Sequence, residues 1–255
     1  MEATANAQEI LLEKFDGVAT ITLNRPEKNN ALSVSMRASI EHALADVAAD
    51  DSISVVLLLA EGRSFCGGLD LSDLPEDTDQ WRGRVMAAQM NHLAIVHMPK
   101  IVIAAVQGAV VGGGASLALS ADILLMADDA RLSFPFVKLG LVPDGGSSYF
   151  LQQKLGASIA LDLLLTGGAL TAEDAFRLGL TRRVVNGDRL HIQARELANE
   201  LLKIPAEARM LTKSLCFKLW GDRLDQMLAS ELEAFCAATK TSGHHSAMRG
   251  LRRQK

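Results

Sequence analysis

The chain has 255 residues, a formal net charge of −4, 49% hydrophobic residues and 22% charged residues, which are ordinary values for a globular protein. These values exclude a disordered chain, a collagen-like fibre and a disulfide-stabilised miniprotein. The acidic balance argues against broad nucleic-acid binding, which requires a basic face to neutralise phosphates. Twenty glycines stand beside only 4% aromatic residues, so the places where those glycines cluster carry most of the information.

Compartment signals are few. The three cysteines show no CxxC spacing, which argues against a zinc site or a disulfide framework and favours a reducing, cytoplasmic location. Residues 1–9 lack the basic and apolar segments of a secretory signal. The most apolar stretch, residues 101–121, is about long enough to span a bilayer. Glycines divide it into a strand-like half and a helix-like half, so we expect no membrane association.

The first predicted elements are a hairpin, a helix and a buried strand. Residues 9–23 alternate around an Asp16-Gly17 turn, which is typical of two short antiparallel strands. Ser33 is expected to cap a helix whose apolar residues recur at helical spacing. Residues 53–60 form a continuous apolar run, as in a strand buried on both faces. A glycine loop over residues 62–68 and a helix over about residues 80–97 follow.

The same order of elements then recurs. We predict a strand over residues 101–106, a glycine-rich turn over 108–114 and a short helix over 115–120. Next come two strands and a loop, over residues 123–126, 131–134 and 139–146. From residue 147 almost to the end the pattern is helical, and Thr171 and Asp174 are expected to form a capping box. The sequence therefore predicts an α/β core over residues 1–195 and a helical C-terminal region over residues 196–255.

Two glycine loops, FCGGLD at residues 65–70 and VGGGAS at residues 111–116, each follow a predicted buried strand. Glycine lets the backbone turn its N–H groups toward a ligand. The second loop also begins a helix, where the first N–H groups have no partner within the helix. Two such loops on neighbouring strands can direct two N–H donors at one oxygen, which is an oxyanion hole. The alternative is that both loops are tight turns that pack strands against helices.

Other glycine-based sites fit less well. Neither loop matches the GxGxxG or Walker pattern for nucleotides. The segment GASLA around Ser116 is one residue away from the GxSxG elbow of hydrolases, which would require His191 or His244 as a partner. Both histidines lie in segments without a glycine context, and the pair His244-His245 is expected to be a solvated tail with no metal-ligand spacing.

Five motifs together resemble the enoyl-CoA hydratase/isomerase (crotonase) family over nearly the whole chain. They are LNRPEKNNAL at residues 23–32, GRSFCGGLDL at 62–71, the segment 105–122 with its glycine triplet, the segments 166–167 and 172–180, and the closing segment 247–253. The resemblance implies a spiral of ββα units and a helical C-terminal region that builds a homotrimer or a hexamer (a dimer of trimers). It also implies an acyl-CoA thioester substrate, with coenzyme A as part of the substrate and no separate cofactor.

Residue by residue, the resemblance implies that Gly67 and Gly113 donate the two N–H groups to the thioester oxygen. In the family's hydratases two glutamates handle the water, but this chain has Ser116 and Phe136 at those places. Two such side chains cannot share the proton transfers of water addition, so simple hydratase activity is not expected. Asp144, which follows Pro143, matches the lone acid/base of the isomerase branch. An ordinary turn aspartate before Gly-Gly is the alternative for Asp144.

The remaining site residues are also implied by matching position. The expected substrate and CoA contacts are Arg25, Lys28, Gly68, Leu69, Asp70, Gly112, Ser116, Phe136 and Leu141, with Arg25 and Lys28 facing the CoA phosphates. A basic end of Arg249, Arg252 and Arg253 is expected to approach the CoA phosphate of a neighbouring subunit. Plain core packing is the alternative for Leu69, Phe136 and Leu141, and a solvated surface is the alternative for Arg25 and Lys28.

We therefore expect an isomerase that shifts the double bond of an enoyl-CoA from the 3-position to the 2-position through a dienolate held in the oxyanion hole. One alternative is a hydratase, a thioester hydrolase or another reaction of the same family. An alternative of another class is a non-catalytic acyl-CoA-binding protein on the same fold. Neither nucleic acid nor membrane is an expected partner.

Overall fold

The computed structural model describes residues 8–218 and 221–252. The strands are β1 Ile10–Phe15, β2 Val18–Leu23, β3 Val55–Ala60, β4 Ile101–Val106, β5 Ala109–Val111, β6 Ile123–Ala127, β7 Arg131–Ser133, β8 Ala169–Thr171 and β9 Val184–Val185. The helices are α1 Val34–Ala49, α2 Thr78–His97, α3 Gly113–Leu119, α4 Ser147–Leu155, α5 Ala157–Thr166, α6 Ala172–Arg177, α7 Leu190–Leu202, α8 Ala206–Lys218, α9 Gly221–Thr239 and α10 Ser242–Arg252. Short 3₁₀ turns cover Pro26–Lys28, Pro135–Leu139 and Gly187–Arg189.

A six-stranded sheet with the order β1-β2-β3-β4-β6-β9 forms the centre of the molecule. The β1–β2 pair is antiparallel, as the hairpin prediction requires, and the other neighbours are parallel. Every residue of β2, β3 and β4 is buried. These strands consist largely of Val, Ile, Leu and Ala because apolar layers cover both faces of the sheet.

A second, smaller sheet has three strands in the order β5-β7-β8. Two strands of the large sheet, β4 and β6, are each followed by a short strand of the small sheet and then by a helix, as β4–β5–α3 and, after the 135–139 turn, as β6–β7–α4. The loop after β3 joins this pattern because Cys66 forms a parallel bridge with Val110 of β5. The repeated unit confirms the predicted α/β spiral of ββα units.

Two local predictions need correction. The segment 108–114 is not a simple turn, because it contains β5, which pairs with β7. The segment after residue 147 is not purely helical, because β8 pairs with β7 and β9 pairs with β6. Strands of two or three residues are too short to show a periodic pattern in the sequence. The division expected after residue 195 falls inside α7 and stays a prediction.

The predicted caps are confirmed. The Ser33 side chain accepts a hydrogen bond from the Met36 amide at 3.0 Å and begins α1. Thr171 and Asp174 form the capping box at α6. At the C-terminal end, α9 packs against α2 and α10 packs against the 135–139 turn. Among the described residues, no helix is both long and apolar enough to cross a membrane.

Candidate active site

A cavity of about 240 Å³ lies where the two glycine loops meet α1, α2 and the C-terminal helices. Its lining is mostly apolar, and the residues are Arg37, Gly67, Gly68, Leu69, Leu71, Trp81, Arg84, Val85, Val111, Gly112, Gly113, Pro135, Phe136, Leu139, Leu141, Asp144, Phe235 and Leu251. The cavity therefore combines both glycine loops with the predicted acid/base.

The two loops run side by side. Cys66 accepts a hydrogen bond from the Val111 amide at 2.9 Å, and its own amide donates to the Ala109 carbonyl at 3.0 Å. Leu69 and Gly113 each follow the bridged residues of this pair by three positions. Both residues line the cavity. The pairing of the two loops therefore places Leu69 of one loop and Gly113 of the other on the same cavity wall.

The amides of Leu69 and Gly113 donate no hydrogen bond to any other described residue. Gly113 is the first residue of α3, where the amide has no acceptor within the helix and lies at the positive end of the helix dipole. Two unpaired N–H groups on the wall of one cavity are the arrangement that an oxyanion hole requires.

The prediction that Gly67 supplies one of these donors is wrong. Its amide donates to the Asn29 carbonyl at 2.7 Å and holds the loop against the turn that follows β2. Leu69, predicted only as a substrate contact, carries the unpaired amide instead. The motif identifies the correct loop, but only the hydrogen bonds show which amide of that loop has no acceptor within the protein.

Glycine is required at two positions of this wall. Gly68 has a φ of +86°, and a Cβ there would lie 2.8 Å from the Val111 carbonyl oxygen. Gly112 has a φ of +51° and immediately precedes α3. A side chain at Gly68 would strain the backbone and press against the neighbouring loop, and a side chain at Gly112 would strain the backbone.

Asp144 lies in the loop between the 135–139 turn and α4. Its Oδ1 is buried and has no hydrogen-bond partner among the described residues. Burial raises the pKa of Asp144 from 3.8 to about 6, and the positive charge of Arg37 opposes this rise. A buried carboxylate that has no hydrogen-bond partner and whose pKa is close to neutral pH is a suitable general base.

Three buried side chains hold the main chain around Asp144. The hydroxyl of Ser116 donates to the Asp144 carbonyl at 3.0 Å, and that of Ser147 donates to the same carbonyl at 2.7 Å. His92 of α2 lies 2.7 Å from the Gly145 carbonyl through Nδ1, and burial lowers the pKa of His92 to about 4. A neutral His92 therefore donates this bond from Nδ1–H. Ser116 was expected to contact substrate, but its hydroxyl is used here and the residue does not line the cavity.

Glu231 of α9 fixes the other end of this loop, although no motif in the sequence points to it. Its carboxylate accepts hydrogen bonds from the Gly146 amide at 2.7 Å, the Ser148 amide at 3.1 Å and the Ser148 hydroxyl. Burial raises the pKa of Glu231 to about 7, although the hydrogen bonds from Ser148 and Gly146 oppose this rise. A helix that was assigned to oligomerisation therefore also supports the loop of Asp144.

Two buried arginines of the cavity wall, Arg37 of α1 and Arg84 of α2, were also missed. A signal was present in the sequence, since Arg37 lies three residues before Ile40 and Arg84 lies three residues after Trp81 on the apolar faces of their helices. A charged residue on an apolar helix face is uncommon and marks either an ion pair or a site.

The other predicted contacts divide into two groups. The structure brings Gly68, Leu69, Gly112, Phe136 and Leu141 together on the cavity wall. Asp70 is absent from that wall. Burial alone would raise the pKa of Asp70, but hydrogen bonds from Ser72 and Arg25 outweigh burial and hold it below its usual value. Asp70 is therefore an ion-pair partner within the fold, and its expected substrate contact is not found.

Arg25 forms ion pairs with Asp70 at 2.9 Å and with Glu9 at 3.1 Å, so its charge is already balanced within the protein. Lys28 is exposed at the end of the Pro26–Lys28 turn. The contact of either side chain with CoA phosphates stays a prediction. Of the expected basic end, Arg253 lies outside the described residues and nothing is described of the Arg252 side chain.

The hydrolase alternative gains no support from the position of His244. This residue is buried rather than solvated, since its Nδ1 lies 2.9 Å from the Leu139 carbonyl and its ring packs edge-on against Trp81. The expectation of a solvated tail is thus wrong for His244. Ser116, the nucleophile that this alternative requires, donates its hydroxyl to main-chain carbonyls instead.

The chain is similar to known proteins over most of its length. Residues 13–253 match the family model described as enoyl-CoA hydratase/isomerase. The chain is 37% identical to the 1,2-epoxyphenylacetyl-CoA isomerase of Escherichia coli K12 over 87% of each protein. It is 32% identical to a probable enoyl-CoA hydratase of Mycobacterium bovis over 94% of this chain and 93% of that protein. A crystal structure of an enoyl-CoA hydratase from Mycobacterium avium subsp. paratuberculosis superposes with a TM-score of 0.89 at 28% identity, covering 96% of this chain and all of that one.

Proposed function

The chain belongs to the enoyl-CoA hydratase/isomerase family of enzymes, and within that family we propose that it converts a 3-enoyl-CoA thioester to the 2-enoyl isomer. One observation carries the proposal. The unpaired carboxylate oxygen of Asp144 lines the same cavity as the unpaired amides of Leu69 and Gly113.

The reaction requires one base and one electrostatic site. The Asp144 carboxylate removes a proton from C2 of the 3-enoyl thioester, and the electron pair moves onto the thioester oxygen to give a dienolate. The amides of Leu69 and Gly113 donate hydrogen bonds to that oxygen. Protonated Asp144 then returns the proton to C4, so that the double bond moves from C3–C4 to C2–C3 and the carboxylate is restored.

One acid/base and two oxyanion donors can together supply a large rate enhancement. A positioned acid/base contributes roughly 10²–10⁴-fold in rate, and each oxyanion donor contributes about 10²–10³-fold. A pKa of about 6 leaves Asp144 mostly ionised at neutral pH while keeping it a stronger base than an exposed carboxylate.

Hydration is a weaker alternative, although several relatives carry hydratase names. Among the described residues that line the cavity, Asp144 is the sole carboxylate. Ser116 donates its hydroxyl to the main chain, and Phe136 presents an aromatic ring to the cavity. Water addition with two cooperating carboxylates therefore has no second partner on this wall.

The wider properties of the protein follow from the family alone. We propose that the substrate is carried as a CoA thioester, that Lys28 faces its phosphates and that no other cofactor takes part. We also propose a homotrimer or a dimer of trimers assembled through the helices of residues 196–255, in the cytoplasm.

Replacement of Asp144 by Asn tests the proposal. With 3-hexenoyl-CoA as substrate and the absorbance of the conjugated thioester as readout, kcat should fall by roughly 10²–10⁴-fold. Asp162→Asn, on the exposed surface of α5, is the matched control and should retain full activity. Unchanged turnover in Asp144→Asn would contradict the assignment. Tight binding of CoA esters by the wild type without turnover of any enoyl-CoA would favour the non-catalytic alternative.

A further inference from the structure

Two guanidinium groups lie on the wall of the apolar cavity. Arg37 and Arg84 are only 7% and 9% exposed, and both line the cavity that holds Asp144. Arginine is rarely buried to this degree unless its charge and its N–H groups are fully paired.

The pairing within the protein is incomplete. Arg84 donates from Nη2 to Asp73 at 2.8 Å, but its Nη1 is buried and has no partner among the described residues. The buried Nε of Arg37 likewise has no partner in the part of the chain that the structure describes. An unsatisfied buried donor is costly, and more so when it is charged. Both arginines also line the cavity, so two incompletely paired guanidinium groups lie next to the space that a ligand would occupy.

We propose that the acyl group of the natural substrate carries a second, free carboxylate, which Arg37 and Arg84 bind. The substrate class is then the monothioester of a short dicarboxylic acid with CoA. This inference rests on the proposed function, because it places the thioester in the same cavity.

The charge of the cavity supports an anion over a neutral polar group. Arg84 is already ion-paired with Asp73, but Arg37 forms no ion pair among the described residues, and Asp144 is the carboxylate that shares the wall with it. Burial lowers the pKa of Arg37, and the Asp144 carboxylate opposes that effect. A carboxylate also matches the planar donor geometry of arginine better than a hydroxyl group does.

The size of the cavity limits the acyl chain. Its volume is about 240 Å³, and Trp81, Phe136 and Phe235 form much of the wall. A Cβ on Gly113 would lie 3.9 Å from Nη2 of Arg37, so one guanidinium is close to the proposed oxyanion hole. The free carboxylate is therefore separated from the thioester by only a few carbons.

Binding of saturated esters tests this inference without any turnover. Dissociation constants are measured for glutaryl-CoA against pentanoyl-CoA and for succinyl-CoA against butyryl-CoA, pairs of equal carbon number that differ in the terminal carboxylate. We expect the wild type to bind at least one dicarboxylic ester roughly tenfold or more tightly than its neutral counterpart. Equal or weaker binding of both dicarboxylic esters would overturn the inference.

Variants then assign the preference to the two arginines. Arg37→Met and Arg84→Met should each reduce the ratio of dissociation constants by about tenfold, while Arg84→Lys should retain part of it. Arg82→Met is the matched control and should leave the ratio unchanged, because Arg82 lies on the same helix, is only half-buried, is paired with Glu233 and is not part of the cavity wall. A preference that survives in both Met variants would also overturn the inference. If either variant does not fold, the ratio of dissociation constants measured for the wild type decides the inference.

Turnover separates this inference from the proposed function. Wild-type protein is assayed with 3-hexenedioyl-CoA and 3-hexenoyl-CoA. We expect the dicarboxylic substrate to have the higher kcat/KM. If neither substrate is isomerised but the binding preference is present, the proposed isomerase activity fails and the anion site stands. If both are isomerised and the neutral ester binds and reacts better, the anion site fails and the proposed function stands.

Discussion

The hydroxyl of Ser116 donates a hydrogen bond to the main-chain carbonyl of Asp144 at 3.0 Å. Ser116 belongs to α3, which begins at Gly113, so this bond joins the element with an unpaired amide to the loop with the unpaired carboxylate. The position where family hydratases carry a glutamate thus holds a residue that orients the proposed acid/base in this chain.

Removal of this bond should affect activity more than removal of a comparable bond elsewhere. We expect Ser116→Ala to cost about 1 kcal/mol in the free energy of unfolding and to lower kcat several-fold, because the Asp144 loop loses one of its supports. Ser120→Ala is the matched control, since this buried hydroxyl of the same segment donates to the Leu117 carbonyl. The control should lose similar stability and retain its activity. Equal loss of kcat in both variants would show that only general stability is at stake.

The amide of Gly113, the proposed oxyanion donor, can be removed without replacing any of the apolar side chains of the cavity. Gly113 is the first residue of α3, a position that tolerates proline. Gly113→Pro removes the amide hydrogen and should lower kcat by about 10²–10³-fold. Gly113→Ala keeps the amide, and its Cβ would meet Leu32 at an ordinary distance of 3.5 Å. A similar loss in both variants, with both folded, would show that the amide of Gly113 does not stabilise the transition state.

Catalysis should depend on the ionisation of Asp144. The base form is required, and its pKa is about 6. We therefore expect kcat/KM to rise with pH up to about 6 and to level off above that value. Glu231 is buried nearby with a pKa of about 7, so the profile should also be measured in Glu231→Gln. A midpoint near 6 in both proteins assigns the titration to Asp144, and a flat profile between about pH 5 and 7 would contradict the assignment.

The ionisation of Asp144 also affects the free energy of unfolding. Catalysis requires the ionised form, whereas the protonated form is the one that favours the folded state. The folded-state pKa of Asp144 is about 6, above the ordinary value of 3.8, so the folded protein binds this proton more tightly. The stability that it contributes is complete below pH 3.8 and is lost as pH rises through about 6. Asp144→Asn should therefore be more stable than wild type at neutral pH by up to about 3 kcal/mol, with a smaller gain in acid. Urea unfolding at two pH values checks this, and a variant less stable at neutral pH would contradict it.

Glu231 should be a positioning residue for the Asp144 loop. Glu231→Ala leaves the amides of Gly146 and Ser148 without their acceptor, and each unsatisfied donor costs about 1–3 kcal/mol. We expect a lower free energy of unfolding together with a lower kcat. Glu233→Ala, two residues along the same helix and exposed, should change neither value appreciably. Gln keeps one of the two acceptor oxygens, so partial recovery of kcat in Glu231→Gln would support positioning through hydrogen bonds. Full activity in Glu231→Ala would exclude a role for this carboxylate.

The sequence was informative where local pattern and motif coincide. The buried strands follow from their continuous apolar runs, and the caps at Ser33 and Thr171 follow from their spacing. The glycine loops followed from composition and order, and the resemblance singled out Asp144. The short strands β5, β8 and β9 were missed because their pairing depends on segments distant in the chain.

The finer geometry of the site required the fold. Gly67 and Leu69 lie two residues apart in one motif, and only the bond from the Gly67 amide to Asn29 shows which amide is already used. Glu231 lies 87 residues after Asp144, so no local pattern could connect them. Arg37 and Arg84 were visible as charges on apolar helix faces, but their shared cavity became evident only in three dimensions.

Transfer of an isotopic label tests the central claim that Asp144 alone carries the proton. The substrate is 3-hexenoyl-CoA with deuterium at both C2 positions, and the product is analysed by mass spectrometry after limited turnover in ordinary water. Because one buried carboxylate removes and returns the same proton, we predict that product retains deuterium at C4 in the wild type and that Asp144→Asn forms almost no product. Complete loss of the abstracted deuterium to water, so that the product holds only the deuterium left on C2, would contradict the account, as would undiminished product formation by Asp144→Asn.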